Sequence, residues 1–161
     1  MRAQKNIPEQ LKLSDFEDKS LLILDDDDPL RGRLARAMEK KGFQVKEAKT
    51  VAEGLNLVKT APPGFACVDL RLEDGNGLDV VKELFKAKKD SRIVMLTGYG
   101  NLPTAVAAVK AGAIDYIAKP VDADDVESAL LASPESKARP PENPMSADRV
   151  KWEHIHRVFE L

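Results

Sequence analysis

Five short apolar segments alternate with five stretches of helical periodicity, and this alternation most constrains the fold. The apolar segments have the length of buried β-strands and span residues 21–24, 65–68, 93–96 and 114–118, with an alternating, edge-like segment at 44–48. Strands separated by helices run parallel and are covered on both faces. With right-handed crossovers, the expected fold is a doubly wound α/β fold with a five-stranded parallel sheet of order 2-1-3-4-5.

The helical stretches carry apolar residues three or four positions apart, which predicts amphipathic helices packed on the sheet. They span residues 30–38, 51–58, 78–85, 102–113 and 126–130. Residues at their ends support the same assignment. Asp28 and Pro29 are expected to open the first helix and Gly42 to close it, while Thr50 and Asp122 are expected to cap the second and fifth.

Composition excludes several classes of protein. The chain has 161 residues, with 25 Lys and Arg against 27 Asp and Glu, so a net charge of −2 argues against a globally basic nucleic-acid binder. Its single cysteine, Cys67, rules out an intrachain disulfide and is expected to be a small core residue. No apolar run is long enough for a membrane span and no signal-peptide core is visible, so we expect a cytoplasmic protein without membrane contact.

Changes in composition divide the chain into four parts. Residues 1–20 carry mixed charges and are expected to form a flexible leader, followed by one domain over residues 21–132. Residues 133–145 contain four prolines and predict an extended linker. Residues 146–161 predict one amphipathic helix, which cannot bury its apolar face by itself.

Polar residues of a particular kind follow the predicted strands. Four aspartates, residues 25–28, follow the first strand, Asp69 follows the third, Thr97 the fourth and Lys119 the fifth. Ligands of such sheets bind at these strand ends. Although the acidic run alone also suits a solvated turn, three converging carboxylates are costly unless a cation compensates, and Mg²⁺ is the hard cation that prefers oxygen ligands. The full set predicts a site that accepts a phosphoryl group, with Asp69 as nucleophile.

Four motifs in this order resemble the receiver domains of two-component response regulators over residues 21–132. They are LILDDDDP at 22–29, VDLRL at 68–72, LTG at 96–98 and DYIAKP at 115–120. The resemblance implies a flavodoxin-like receiver fold and a cis peptide bond before the proline of the last motif. It also implies a set of site residues: Asp25 and Asp26 as the Mg²⁺-binding pair, Asp69 as phosphoacceptor and metal ligand, the backbone carbonyl of Arg71 as a further metal ligand, Thr97 and Tyr116 as switch residues, and Lys119 as the phosphate-binding lysine.

Two longer stretches, DLRLEDGNGLD at 69–79 and PENPMSADRV at 141–150, resemble the RegA/ActR/PrrA group of redox-responsive regulators. That group joins a receiver through a proline linker to a small Fis-like helix-turn-helix domain. The resemblance implies a sensor histidine kinase as partner, a possible homodimer, and DNA as the target. Because the chain stops at Leu161, where the first effector helix would end, we expect a truncated form that does not bind DNA by itself. A stand-alone receiver acting as a phosphoryl relay or dimer partner is the alternative.

A second class of protein is also compatible with some of these residues. Mg²⁺-dependent phosphatases of the haloacid-dehalogenase type use an Asp-x-Asp after the first strand, then a hydroxyl, a lysine and an acidic pair. Residues 25–27, Thr97, Lys119 and the pair at 124–125 occur in that order. Asp69 has no role in this reading, and the acidic pair is predicted to start a helix. We therefore expect a receiver that phosphorylates only its own Asp69 and is not an enzyme.

Overall fold

A computed structural model describes residues 10–98 and 102–133. Seven strands are present in this part of the chain: β1 (Ser20–Leu24), β2 (Gln44–Ala48), β3 (Phe65–Asp69), β4 (Arg71–Leu72), β5 (Gly75–Asn76), β6 (Arg92–Thr97) and β7 (Asp115–Ala118). Five helices accompany them: α1 (Asp28–Lys40), α2 (Val51–Thr60), α3 (Gly77–Ala87), α4 (Leu102–Ala111) and α5 (Ala123–Leu130).

The main sheet has the order β2-β1-β3-β6-β7 and every strand pair in it is parallel. When only the five strands of this sheet are numbered along the chain, their order is 2-1-3-4-5, as predicted. A small antiparallel hairpin, β4–β5, follows β3 directly and was not predicted from the sequence. The doubly wound α/β fold is confirmed, and it places the ends of β1, β3, β6 and β7 along one edge of the sheet.

Two apolar layers hold the helices against the sheet. In β1, Leu21 and Ile23 pack in the layer that includes α1 and α5, whereas Leu22 and Leu24 pack in the layer that includes α2 and α3. Successive strand residues point to opposite faces, so a central strand must be apolar throughout. These four side chains are at most 1% exposed, and burial of each contributes about 1.5–3 kcal/mol to stability.

The predicted helix ends are mostly confirmed. The Thr50 hydroxyl accepts a hydrogen bond from the Glu53 amide at 3.1 Å, and Gly42 follows α1 with φ +109°. Asp122 and Asp125 form a reciprocal capping box at α5. Helix α1 begins at Asp28, as predicted, and the preceding residue, Asp27, caps it by accepting a hydrogen bond from the Leu30 amide.

Residues 10–20 do not form the flexible leader that their composition suggests. Gln10 forms an antiparallel bridge with Ala132, and the Leu11 amide donates to the Leu131 carbonyl at 2.7 Å. The Phe16 ring meets the ring of Phe65 edge-on, with centroids 5.1 Å apart. This segment therefore covers the sheet near Phe65, at the start of β3, and holds the chain where it leaves α5.

The predicted linker over residues 133–145 and the predicted helix over residues 146–161 lie outside the described residues, except for Ser133, which is buried. Within the described ranges, no helix combines the length and the apolar character that crossing a bilayer requires.

Contacts with α1, β6 and residues 10–11 fix the position of α5 and of the chain that leaves it.

Candidate functional site

Three carboxylates meet at the edge of the sheet where β1 and β3 end. Leu24 of β1 pairs with Val68 of β3, so the next residues, Asp25 and Asp69, emerge side by side. Together with Asp26, each offers a carboxylate oxygen, and these oxygens all lie within 4.8 Å of one another. Asp25 and Asp69 are buried and Asp26 is half-buried. The structure thus brings together the three acids predicted to hold a metal.

Lys119 joins this cluster from the end of β7. Its Nζ lies 3.0 Å from Oδ2 of Asp25 and 3.3 Å from Oδ2 of Asp69. Its backbone amide donates to the Thr97 carbonyl at 2.8 Å, which fixes the loop that carries it. Burial opposes the charge of the ammonium, yet the contact with Asp25 and the charge of Asp69 hold the pKa of Lys119 above its ordinary value. Lys119 is therefore a fixed cation beside two carboxylates.

The environment of Asp69 is unfavourable to its charge. Burial, and then the charge of Asp25, raise the pKa of Asp69 to about 6, and Lys119 opposes this shift. The carboxylate is still ionised at neutral pH, but it is a stronger base than an ordinary aspartate. A basic carboxylate held beside an ammonium suits attack on an electrophilic phosphorus.

The site has the charge and the donor atoms for a divalent cation. Oδ1 of Asp25 accepts a hydrogen bond from the Asp27 amide at 2.9 Å, but the fully buried Oδ2 receives none that the described residues supply. Lys119 contacts this oxygen as an ion pair without the geometry of a hydrogen bond. Three carboxylates and one ammonium leave a net charge of −2, which a divalent ion balances. A buried carboxylate oxygen that receives no hydrogen bond, beside two further acids, fits a hard cation.

The other predicted site residues lie around this cluster. Arg71 begins the hairpin two residues after Asp69, with an exposed side chain. Thr97 ends β6 and is buried, next to Leu96, which pairs with Asp69 in the adjacent strand. Tyr116 is fully buried and packs against Ala105 of α4.

Sequence reasoning missed two residues that support the site. Arg31 of α1 donates through Nη1 to the Asp25 carbonyl at 2.8 Å. Asp74, in the β4–β5 turn, accepts hydrogen bonds from the amides of Val51 and Ala52 and so ties the hairpin after Asp69 to α2. The three-residue spacing between an aspartate and Arg31 was a visible signal of a helix ion pair. The contact of Arg31 with a carbonyl and the long-range contacts of Asp74 have no sequence signal.

The acidic pair that the phosphatase alternative requires is not at this site. Asp124 lies in α5 and pairs with Lys41 of α1 at 2.7 Å, while Asp125 belongs to the capping box of the same helix. Both are surface residues that stabilise α5. Asp69, for which that alternative has no role, is at the centre of the cluster.

Comparison with known proteins agrees with this geometry. The family model for the response regulator receiver domain matches residues 21–131. The photosynthetic apparatus regulatory protein RegA of Rhodovulum sulfidophilum is 62% identical over 144 residues, which cover 89% of this chain and 79% of RegA. The acid tolerance regulatory protein ActR of Rhizobium meliloti (strain 1021) is 59% identical over 144 residues, covering 89% of this chain and 74% of ActR.

A solved structure carries the same comparison to three dimensions. A response regulator from Burkholderia pseudomallei, crystallised with a phosphorylated aspartic acid, a calcium ion and citrate, superposes with a TM-score of 0.69. It is 36% identical, and the match covers 89% of this chain and 85% of that one. The fold and the acidic strand-end site thus define a phosphorylation-activated signalling module rather than a conventional enzyme. The chain belongs to the response regulator receiver family, and its close relatives are RegA and ActR.

Proposed function

We propose that Asp69 accepts a phosphoryl group from a phosphohistidine of a sensor histidine kinase. A carboxylate oxygen of Asp69 attacks phosphorus, the P–N bond breaks, and the histidine nitrogen keeps the electron pair and takes up a proton. The product is an acyl phosphate on Asp69. The observation that carries this proposal is the convergence of three carboxylates whose oxygens lie within 4.8 Å of one another, two of them in contact with the ammonium of Lys119.

Each neighbouring group has a role in this transfer. Asp25, Asp26, Asp69 and the backbone carbonyl of Arg71 would hold Mg²⁺, which supplies charge neutralisation at the phosphoryl oxygens when bound. Lys119 neutralises a further oxygen and holds the group near Asp69. The Thr97 hydroxyl donates a hydrogen bond to the phosphoryl group. The calcium ion and phosphorylated aspartic acid in the Burkholderia regulator support this assignment.

Phosphorylation would change a face of the domain at some distance from Asp69. The added charge attracts Thr97, which ends β6 beside Asp69, and the movement passes to Tyr116 in the neighbouring strand. Tyr116 packs on α4, so its movement would alter the face formed by α4, β7 and α5, including Val106 and Lys110. We propose this face as the docking surface for an effector or for a second copy of the chain.

The relatives support a proposal for the role and the domain organisation of the whole regulator. We propose a cytoplasmic response regulator that controls transcription, with residues 133–145 as a linker and residues 146–161 as the first helix of a Fis-like effector domain. The match to RegA contains more residues than positions 21–131 hold, which supports an effector segment beyond the receiver. DNA would be reached through the complete effector domain of such a regulator.

Phosphorylation by a small donor tests the central step. The full chain is incubated with acetyl phosphate, with and without Mg²⁺, and its intact mass is measured for the wild type, Asp69→Asn and the control Asp79→Asn. Asp79 is an exposed carboxylate at the start of α3, outside the acidic cluster. We expect one phosphoryl group to be added with Mg²⁺ in the wild type and the control and none in Asp69→Asn. An adduct that survives the Asp69 change would refute the assignment.

A second incubation, with p-nitrophenyl phosphate in place of acetyl phosphate, separates the receiver from a phosphatase. A receiver consumes one acetyl phosphate per phosphorylation cycle of its own Asp69, at a rate set by decay of the acyl phosphate. A phosphatase turns over phosphomonoesters such as p-nitrophenyl phosphate many times without a stable adduct. Sustained release of p-nitrophenol that depends on Asp25 but not on Asp69 would support the phosphatase alternative.

A further inference from the structure

We propose that Arg31 is a positioning residue for the cation site, which acts by fixing the acidic run, residues 25–28, to the body of the domain. This inference rests on the proposed function of that site. Arg31 lies on the first turns of α1, one helical turn beyond the run, and its side chain is 15% exposed. It contributes no ligand atom itself, since a guanidinium is always a cation and has no lone pair to offer.

The guanidinium makes three contacts with three different parts of the chain. Nη1 donates to the backbone carbonyl of Asp25 at 2.8 Å, and Nε donates to Oε1 of Glu47 at 3.0 Å. Nη2 lies 2.8 Å from Oδ1 of Asp28. Glu47 belongs to β2, so the fork joins the end of β1, the start of α1 and the neighbouring strand. A planar fork with donors in fixed directions can make all three contacts at once.

The acidic run needs such an anchor because its own charges push it apart. Adjacent carboxylates repel one another, and repulsion favours conformations in which they spread into solvent. Within the described part of the chain, no hydrogen bond or ion pair holds the Asp26 carboxylate. Its position therefore depends on the backbone on either side, which the contact of Arg31 with the Asp25 carbonyl fixes.

Which carboxylates Arg31 pairs with also matters for cation binding. The two carboxylates that it pairs with, Asp28 and Glu47, lie outside the predicted ligand set. Toward Asp25 it presents a donor to the backbone oxygen and none to the carboxylate. Arg31 thus holds the loop without neutralising the acids that would bind the cation, so the cluster keeps its charge of −2. A guanidinium paired directly with Asp25 or Asp26 would compete with a metal.

Calorimetric titration of Mg²⁺ into the full chain, without a phosphodonor, measures this role directly. We compare the wild type with Arg31→Met, Arg31→Lys and the control Arg33→Met. Arg33 is exposed on the same helix and forms no ion pair with any described residue. Outer contacts of metal ligands are typically worth tenfold or more in affinity, so Arg31→Met is expected to raise the Kd for Mg²⁺ by roughly 10-fold. Arg31→Lys should rescue little, because an ammonium cannot make the three contacts together.

A second variant tests the same proposal in case the Arg31→Met protein does not fold. Glu47→Gln leaves Arg31 and α1 intact and weakens only one branch of the fork, so we expect the Kd to rise by about twofold to fivefold, the effect of a partly exposed ion pair. In both variants, saturating Mg²⁺ should restore the rate of phosphorylation by acetyl phosphate. This recovery distinguishes positioning of the cation site from a general loss of stability.

Other outcomes overturn the inference. If Arg31→Met lowers the Tm but leaves the Kd for Mg²⁺ within twofold of the wild type, Arg31 is a structural residue only. An equal rise of the Kd in Arg33→Met would assign the effect to net charge rather than to the fork. If the wild type itself binds no Mg²⁺, the proposed cation site fails before Arg31 is tested, and the two failures are thereby distinct.

Discussion

Gly77 lies so close to Asp69 that a Cβ atom at position 77 would come within 2.1 Å of the Asp69 carbonyl oxygen. The Gly77 amide in turn donates to the Leu70 carbonyl at 2.7 Å, so the start of α3 is packed directly on the chain that carries the acid. No side chain fits between these two backbones. The backbone of Asp69, the proposed phosphoacceptor, is therefore packed against the start of α3 at a distance that only glycine at position 77 allows.

We predict that Gly77→Ala lowers the free energy of unfolding by about 2–4 kcal/mol, because the backbone must shift to accommodate the methyl group. It should also slow phosphorylation by displacing Asp69. Gly32→Ala is the matched control, since its Cβ would meet only the tip of the Arg36 side chain at 3.4 Å in the middle of α1. That change should stabilise the protein by about 0.5–1 kcal/mol. Urea unfolding of both variants measures the difference, and equal effects would contradict the close approach.

The sequence was sufficient for the main sheet because burial on both faces demands unbroken apolar runs. All five strands and helices of the receiver lie where these runs and the helical spacings predict them. The convergence of these groups followed from the same logic, since Asp69 ends a strand and Asp25 and Lys119 each come directly after one. Parallel topology then brings residues that are far apart in sequence to one edge.

The features that sequence missed are those that depend on tertiary contact alone. Strands β4 and β5 have two residues each, too few for any period to be visible. In residues 10–20, Leu11, Leu13 and Phe16 are spaced by two and then three positions, so no single helical or strand period fits all three, yet all pack against the core. Contacts with Phe65 and with the end of α5 fix the positions of these side chains, and no local sequence pattern encodes such contacts.

Phe16 is predicted to be a stabilising residue and not part of a flexible leader. Its ring meets Phe65 at 5.1 Å, and the Arg92 guanidinium lies 5.7 Å from the Phe16 centroid. Phe16→Ala should lower the free energy of unfolding by about 2–3 kcal/mol, somewhat less than for a fully buried phenylalanine.

Glu17→Ala, at an exposed neighbouring position, is the control for this prediction and should change stability by less than about 0.5 kcal/mol. Thermal unfolding followed by circular dichroism compares the two variants. A Phe16→Ala protein as stable as the wild type would restore the view of residues 10–20 as a leader that does not contribute to the fold.

The charge of Asp69 is predicted to destabilise the metal-free protein above pH 6. Burial and the charge of Asp25 raise its pKa to about 6 in the folded protein, from an ordinary 3.8. Between these values the folded state binds more protons than the unfolded state, so this group's contribution to stability falls as pH rises and is lost above about pH 6. Asp69→Asn, which cannot ionise, should therefore be more stable than the wild type at pH 7.5, by on the order of 1–2 kcal/mol.

Thermal scans in EDTA at pH 4.5 and pH 7.5 measure this difference. The advantage of Asp69→Asn over the wild type should be larger at pH 7.5 and should shrink when Mg²⁺ is added, since a cation stabilises the ionised cluster. Asp79→Asn, which removes an exposed charge, should show no such pH dependence. An advantage that is the same at both pH values would mean that burial of the Asp69 charge is not its cause.

Lys119 is predicted to affect cation binding and phosphoryl transfer in opposite directions. Its Nζ lies 3.0 Å from Asp25 and 3.3 Å from Asp69, so we expect it to compete with a metal ion for the same oxygens while it assists the proposed transfer. Lys119→Met leaves three carboxylates without an ammonium, which makes the cluster more negative by one charge. Removal of a cation at this distance should tighten Mg²⁺ binding by roughly fivefold or more. Phosphorylation of Asp69 by acetyl phosphate should nevertheless slow by roughly 100-fold, the scale of losing one preorganised electrostatic contact in a transition state.

Calorimetry and intact-mass time courses at pH 8, where Asp69 stays ionised, separate these two effects in the same preparation. Lys59→Met, a change at an exposed lysine of α2, is the control and should alter neither quantity. If Lys119→Met weakened Mg²⁺ binding, the lysine would be holding the carboxylates in place for the metal, and its charge would not be the dominant effect. Tighter Mg²⁺ binding combined with slower transfer is the result that only a cation acting on the phosphoryl group itself explains.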